Sequence, residues 1–467
     1  MRSNVRNEKD SIYVLLRKKG AECIGHMIRF EFPDDEYLSN AFQNDFDKVD
    51  TQEEDNRRID SKTFFDVIRS FEATIATYRK SIALTIELSP LISQKIAENQ
   101  VTEFAMERGR KLEDSSTDSV EVYELPFECV STLLRRHDST TAALKGAAHL
   151  PKIGVIGLIS AYDAYLSDLL RAIFTEKPEL IFTSEKEIKF SDLRKFKSIE
   201  DAKEHILDSE VETVLRKSHH EQFSWMASKF SMRLKEGLDV WPNFVELCER
   251  RNLLTHTGGV VSQQYINNCL DHKVPVSASV GDFLDVDLEY FKNSIEVVAE
   301  IGMKLGHVMW RKFRPSELAK ADSSLNELGM RLIADYDYAT AARILEFGVG
   351  CKKHSNDRLR RMMVVNLANA YKLENDQMLA NKILDKEDWT AVSPEFQICV
   401  EAVRGNTEVL CKMMKQAGSN GPVSSSDFKD WPVFRGVIDD KGFIDTYEEI
   451  FGHKPIPSDR RLEHKEF

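Results

Sequence analysis

The chain has no Cys-x-x-Cys pair, and its seven cysteines, from Cys23 to Cys411, are odd in number. That pattern argues against a disulfide framework and a structural zinc site. The thiols read as reduced cytosolic groups that serve as small core residues. Met1–Arg2–Ser3–Asn4–Val5–Arg6 leads into charge instead of an apolar core, so no secretory leader is expected. No uninterrupted apolar run approaches a membrane span; the best candidate, Ile153 to Leu170, carries Asp163 and Asp168. A phosphate-cradling glycine loop of the Walker type is missing, and so is a Gly-Ser…Asp-x-Asp pattern, which makes nucleotide transfer a distant third reading. No acid cluster of the kind that holds magnesium is visible, so neither a metal nor a cofactor is expected. Positive charge is also short. Lys and Arg number 64 against 77 Asp and Glu, a net −13, which argues against attraction to nucleic acid over the whole surface but leaves room for a local basic site.

What is present is mostly helix-forming. At 467 residues the chain has room for two to four domains. Ser11–Leu16 and His26–Phe32 are rich in β-branched and aromatic residues and predict two short strands. Residues 1–10 and the acid-rich stretch 34–60 predict solvated segments. From Lys62 the apolar residues Ile68, Phe71, Ile75, Tyr78 and Ile82 step by three and four, which predicts a helix. A second helix over about 90–112 and a strand at Val120–Leu125 follow. Residues 127–148 and 152–175 predict two helices broken near Pro151. On the second, Ile156, Ile159, Leu166, Leu170 and Ile173 form an apolar stripe with Asp163 inside it. A carboxylate on such a face is costly unless paired. Asp163 either pairs with a core group for structure, or faces Arg251 or His256 and orients one of them.

Residues 209–235 predict one helix with Trp225, Met226 and Phe230 in the core, and His219–His220, without partners at metal spacing, read as surface residues. A linker at Asp271–Gly281 precedes a long helix over about 287–313. Beyond it, Leu328, Ala341, Ile344 and Leu345 recur as Leu367, Ala380, Ile383 and Leu384, each displaced by 39, and Gly329 recurs as Ala368. Small residues where two helices cross, at a period in the thirties, resemble tetratricopeptide-type hairpins. Trp389, Trp431 and Phe434 would seal the stack, and the tail after Pro455 is expected to be solvated.

The most informative stretch is Cys248–Glu249–Arg250–Arg251–Asn252–Leu253–Leu254–Thr255–His256–Thr257–Gly258–Gly259. Trp241, Val245 and Cys248 share one face of a predicted helix, and i+4 steps carry that face to Asn252 and His256. A core-facing stripe therefore turns polar in its last turn, and Gly258 and Gly259 stop the helix. His256 then lies near a helix C-terminus, where the macrodipole favours its charged form. Arg251 lies about 140° round the axis, at ~100° per residue, and its long side chain can converge on a group bound beside the histidine. Such a pair suits a phosphodiester. Arg251–Asn252–x–x–x–His256 is similar to the Arg-x(4–6)-His motif of the HEPN-domain superfamily, which often reads Arg-Asn-x-x-x-His-x-Gly-Gly followed by a short helix with a tyrosine. Here Gly258–Gly259 and Tyr265 follow, and Leu158–Ile159–Ser160–Ala161–Tyr162–Asp163–Ala164–Tyr165–Leu166 resembles the acidic-residue helix of the same domain. The resemblance covers roughly residues 146–315.

The expected fold is mainly α. A mixed, mostly helical N-terminal region (1–145) precedes a HEPN-like helical bundle (146–316) and a C-terminal α-helical repeat domain (317–467). The resemblance implies a metal-independent endoribonuclease of a prokaryotic phage-defence or toxin-type system, in the cytoplasm. Its catalytic residues would be Arg251, Asn252, His256 and Asp163, acting on an RNA substrate in a homodimer formed through the HEPN-like domain. The basic residues Lys189, Arg194, Lys195 and Lys197 read as a solvated loop or an RNA-facing edge. The C-terminal repeats would take a protein or peptide partner. The alternative is a catalytically inactive HEPN-like dimeric adaptor, in which the same residues only cap a helix and pair at an interface.

Overall fold

A computed structural model describes residues 13–19, 22–29, 62–111, 123–182, 188 and 193–455 of the chain. It divides into two compact units, residues 1–60 and 61–467. In the first, strands β1 (Tyr13–Lys19) and β2 (Glu22–Arg29) pair antiparallel, from Tyr13 opposite Arg29 to Lys19 opposite Glu22, with an irregularity between Arg17 and Lys18. The strands expected at Ser11–Leu16 and His26–Phe32 thus extend inward to Lys19 and Glu22, because a ladder of backbone hydrogen bonds continues through charged residues as readily as through apolar ones, and their outer ends, 11–12 and 30–32, lie outside the described residues. The segments 1–10 and 34–60 and the tail after Pro455, all expected to be solvated, lie outside the described residues.

The second unit is mainly α. Helix α1 (Phe64–Thr77) opens with a capping box: the Asp66 amide donates to Thr63 Oγ1 at 3.2 Å, and the Thr63 amide donates to the Asp66 carboxylate at 3.0 Å. A π-turn at Tyr78–Ile82 leads without a break into α2 (Ala83–Arg108). After a two-residue strand pair, Arg110–Lys111 with Tyr123–Glu124, comes α3 (Val130–Glu176). Here the expected break near Pro151 is corrected, since α3 runs through it. The ring deletes one amide donor, but Pro151 is buried, and packing on both sides of it holds the helix.

The expected single helix over 209–235 is also corrected. It is two, α4 (Ile199–Leu215) and α5 (His219–Lys229), divided where Ser218 and Glu221 form a second capping box. Helices α6 (Trp241–His256), α7 (Gln263–Asp271) and α8 (Leu288–Phe313) complete the part that carries the motif.

Helix α3 is the hub, packed by α1, α2, α4, α6 and α8. The approach of α8 to α1 and α3 depends on two glycines one turn apart. A Cβ at Gly302 would overlap the Phe71 ring, and one at Gly306 would overlap the Tyr165 hydroxyl. That hydroxyl instead donates to the Gly302 carbonyl at 2.9 Å, and Tyr165 stacks on Phe71 at 4.1 Å between centroids. By length and composition the stretch Phe127–Glu176 could cross a membrane, but half of its most apolar window is buried inside the protein.

Past α8 the chain forms antiparallel helix pairs: α9 (Leu318–Ala334) with α10 (Tyr338–Val349), α11 (Asp357–Leu373) with α12 (Gln377–Leu384), and α13 (Pro394–Arg404) with α14 (Thr407–Ala417). The 39-residue displacement reappears in their turns. Tyr336 and Asn375 both take a left-handed backbone (φ 65 and 68), and Asp337 and Asp376 both cap the helix that follows. Trp389 and Phe434 are buried and Trp431 half-buried at the far end, where α15 (Ser425–Asp430) and α16 (Lys441–Phe451) close the stack.

The boundaries expected at 145/146 and 316/317 do not separate cores. The first falls inside α3. Across the second, one hydrophobic cluster continues from Phe64 to Tyr447, and Arg311 donates to the fully buried Asp322 at 2.6 Å.

Gly302→Ala is expected to destabilise the chain by about 1–3 kcal/mol in chemical denaturation, the usual cost of overpacking a filled core. Gly146→Ala is the control: nothing lies within 4 Å of its added methyl on α3, so it should be neutral or slightly stabilising.

Candidate active site

The motif sits at the end of α6. Trp241, Val245 and Cys248 are buried on its inner face, Asn252 and Arg251 are half-buried, and His256 is exposed in the last turn. Two glycines with positive φ, Gly258 (64) and Gly259 (98), then reverse the chain. The Gly259 amide donates back to the Leu253 carbonyl at 3.0 Å, and the Leu284 amide donates to the Gly259 carbonyl at 2.9 Å. A Cβ at Gly259 would come within 2.8 Å of the Leu284 carbonyl oxygen, so this approach admits only glycine. The C-terminus of α6 is therefore tied to a short antiparallel bridge, Val260 with Phe283.

Beside it lies a cleft of about 510 Å³ whose walls include Asp163, Lys217, His219, Arg251, Asn252 and His256. All four residues singled out from the sequence thus meet in one place. Their contacts differ. Arg251 Nη2 donates to Asp163 Oδ2 at 3.2 Å, while Asp163 Oδ1 meets His219 Nε2 at 3.0 Å. Asp163 therefore bridges α5 and α6 from α3. It is joined to Arg251 and not to His256. Among the described residues the side chains of Asn252 and His256 have no hydrogen-bond partner, and Arg251 Nε is buried without one. Arg216, paired with Glu212 at 3.1 Å, and Lys217 also line the cleft, together with the Glu249 carboxylate. Arg194, Lys195 and Lys197 do not line the cleft, and Lys189 lies outside the described residues.

His219 corrects the surface reading. It is 8% exposed, its ring edge-on to Phe244 at 5.8 Å and beside Tyr162 at 6.0 Å. The signal in the sequence was Ser218-x-x-Glu221, a capping box that starts a helix and sets His219 at its first position, facing inward.

Behind the cleft, burial raises the Cys248 thiol and the Tyr162 phenol well above their ordinary values, so both stay neutral. Glu246 organises the other side of α6. It accepts from Tyr265 at 2.8 Å, Tyr290 at 2.6 Å and Arg250 Nε at 2.7 Å, and the Arg250 guanidinium lies 4.3 Å from the Tyr290 ring centre. Tyr265, which follows the two glycines, is thus committed to a carboxylate by burial and a hydrogen bond. Among the described residues no three His, Cys, Asp or Glu side chains are grouped to hold a metal ion.

Chemically, the cleft offers an exposed imidazole, an anchored guanidinium with a spare donor, and an amide. These can move a proton and hold an anionic oxygen. Asp163→Asn and His219→Asn should each lower stability by about 1–2 kcal/mol, and a double-mutant cycle should give a coupling of about 0.5–3 kcal/mol. Additive losses in urea denaturation would show that the 3.0 Å contact carries no energy.

No family model, curated protein or solved structure matches this chain.

Proposed function

We propose that the chain is a metal-independent endoribonuclease of the HEPN type. One observation carries the reading: Arg251, Asn252 and His256 line a single cleft, and a carboxylate on the neighbouring core helix holds the arginine. The cleft is of a size that takes a small ligand or a short piece of a polymer.

In this reaction a ribose 2′-hydroxyl attacks the adjacent phosphorus. His256 takes or gives a proton, since an imidazole ring carries both a donor and an acceptor nitrogen. Arg251 holds the non-bridging oxygens and offsets the charge that grows on them. Asn252 orients His256 or contacts the phosphate. Asp163, steadied by His219, fixes the angle of the guanidinium. The bond from phosphorus to the 5′-oxygen breaks, leaving a 2′,3′-cyclic phosphate and a 5′-hydroxyl. One exposed imidazole supplies either a base or an acid. A homodimer through the HEPN-like domain would bring a second motif to the same phosphate.

A nuclease of this kind needs restraint, which suits a cytoplasmic phage-defence or toxin-type system. The C-terminal repeats would receive the protein or peptide that sets it off. An apolar groove there, lined by Met330, Met362, Val365, Phe396 and Trp431, supports that role.

A second reading, a catalytically inactive dimeric adaptor, is favoured by one fact: the charge of Arg251 is already met by Asp163. Activity separates the two. Arg251→Ala and His256→Ala should each reduce cleavage of RNA by about 100-fold or more without loss of helix, the usual scale for a charge-stabilising or proton-transfer group. Full activity in EDTA is expected. Wild-type protein that leaves RNA intact would favour the adaptor, and cleavage undiminished in both variants would sink the mechanism.

A further inference from the structure

One charged group in the cleft takes no part in the chemistry of Arg251, Asn252, His256 and Asp163. Glu249 lines the cleft and is 7% exposed, and among the described residues its carboxylate has no hydrogen bond or ion pair. The cations that share the cleft are committed elsewhere. Arg251 is held by Asp163 and Arg216 by Glu212, while Lys217 acts on Glu221. His220 is close enough to feel the charge of Glu249. Burial and His272 lower it below its ordinary value, so it stays neutral and brings no counter-charge. A carboxylate buried without a donor is costly, and a ligand that brings donors relieves it.

Glu249, Asn252 and His256 follow one another at steps of three and four, so they share one face of α6. Burial deepens along that face, from the exposed His256 through the half-buried Asn252 to Glu249, which lies ~10 Å further in at 1.5 Å per residue. A phosphate held at the mouth by Arg251 and His256 leaves the base of an adjoining nucleotide to reach inward. We propose that Glu249 reads that base and selects guanine, so that single-stranded RNA is cut beside guanine. The inference rests on the ribonuclease reading for its substrate.

The chemistry of the carboxylate decides the base. It only accepts, with two oxygens side by side. The Watson–Crick edge of guanine presents two adjacent donors, N1–H and N2–H, which pair with both oxygens. Adenine and cytosine place a ring acceptor beside the amino group, and uracil flanks its single N–H with two carbonyls. Each of these turns a lone pair on the carboxylate. A phosphate cannot take the place of the base, since it would face a like charge. The base must be unpaired for its edge to be free, which restricts the substrate to loops and single strands.

The test reads binding and cleavage separately. In calorimetric titration of the full chain, guanosine 3′- or 5′-monophosphate should bind about tenfold or more tightly than the adenosine, cytidine and uridine nucleotides. Inosine monophosphate, which lacks the N2 amine, should lose most of that advantage. Glu249→Gln puts a donor where one acceptor stood. It should weaken guanosine binding about tenfold or more and move the preference towards adenosine, whose ring nitrogen and amino group match an amide. End-sequencing of a random single-stranded RNA should show guanine enriched next to the cut, and the guanine-to-adenine ratio should fall about tenfold in the variant. A wild type that leaves RNA intact but binds guanosine nucleotides selectively through Glu249 ends the nuclease reading and keeps the base site. Three results overturn the base site: cutting with equal frequency beside all four bases, a variant that loses cutting at every base alike, or inosine bound as tightly as guanosine. The first two leave the nuclease reading standing. The inosine comparison needs no variant, so it decides even where Glu249→Gln does not fold.

Discussion

A carboxylate on the core-facing side of a helix costs several kcal/mol unless its charge and its lone pairs are met. Asp163 lies on α3 next to the buried Tyr162, Leu166 and Leu169, and its two oxygens are divided between Arg251 on α6 and His219 on α5. Helices α3, α5 and α6 are thus fixed on one another by a single charged group. Removing any one member leaves the others with an unmet charge or donor, and that mutual need gives the cleft a defined shape. It also explains why Arg251, which has five N–H donors, is held by its tip while Nε stays without a partner.

The same economy of buried charge links the motif-bearing bundle to the helix pairs behind it. Glu72 on α1 accepts from Arg69 at 3.0 Å and from Arg331 on α9 at 2.5 Å. Arg79, in the π-turn, grips both oxygens of Glu296 on α8, and Thr340 on α10 donates to the same carboxylate. Glu300, one turn on, meets Lys304 and Arg343. Such pairs add little net stability, because desolvation cancels much of their attraction. Burial accordingly raises the Glu72 carboxyl above its ordinary range in spite of its two arginine partners. Their effect is on register: each pair has one geometry, so α8 cannot slide against α1 or α10 without stranding a charge.

Much of this was legible from residues alone. The step pattern from Ile68 to Ile82 and the stripe from Trp241 to Cys248 marked helices, because burial of one face imposes its period on the sequence. Gly258 and Gly259 marked where α6 ends, because only glycine takes that backbone freely. The 39-residue displacement survives in the turns as well as the cores. Asp163 stood out as a polar residue on an apolar stripe. Local signals that compete with one another were harder to read. Pro151 promised a break that packing overrides, while the capping box at Ser218 broke a helix that periodicity would have continued.

The sequence by itself determined most of the helical segments, where the motif helix stops, and which polar residues gather at its end. Each of those depends on the chain's nearest neighbours along its own length. Only the tertiary structure decided that Asp163 joins Arg251 and His219 instead of His256, that Tyr265 is spent on Glu246, and that the core continues past residue 316. These are pairings between residues 19 to 88 positions or more apart. Nothing in the local pattern ranks one distant partner above another. The choice is made when desolvation forces every buried charge to find a counterpart in whatever helix packs against it.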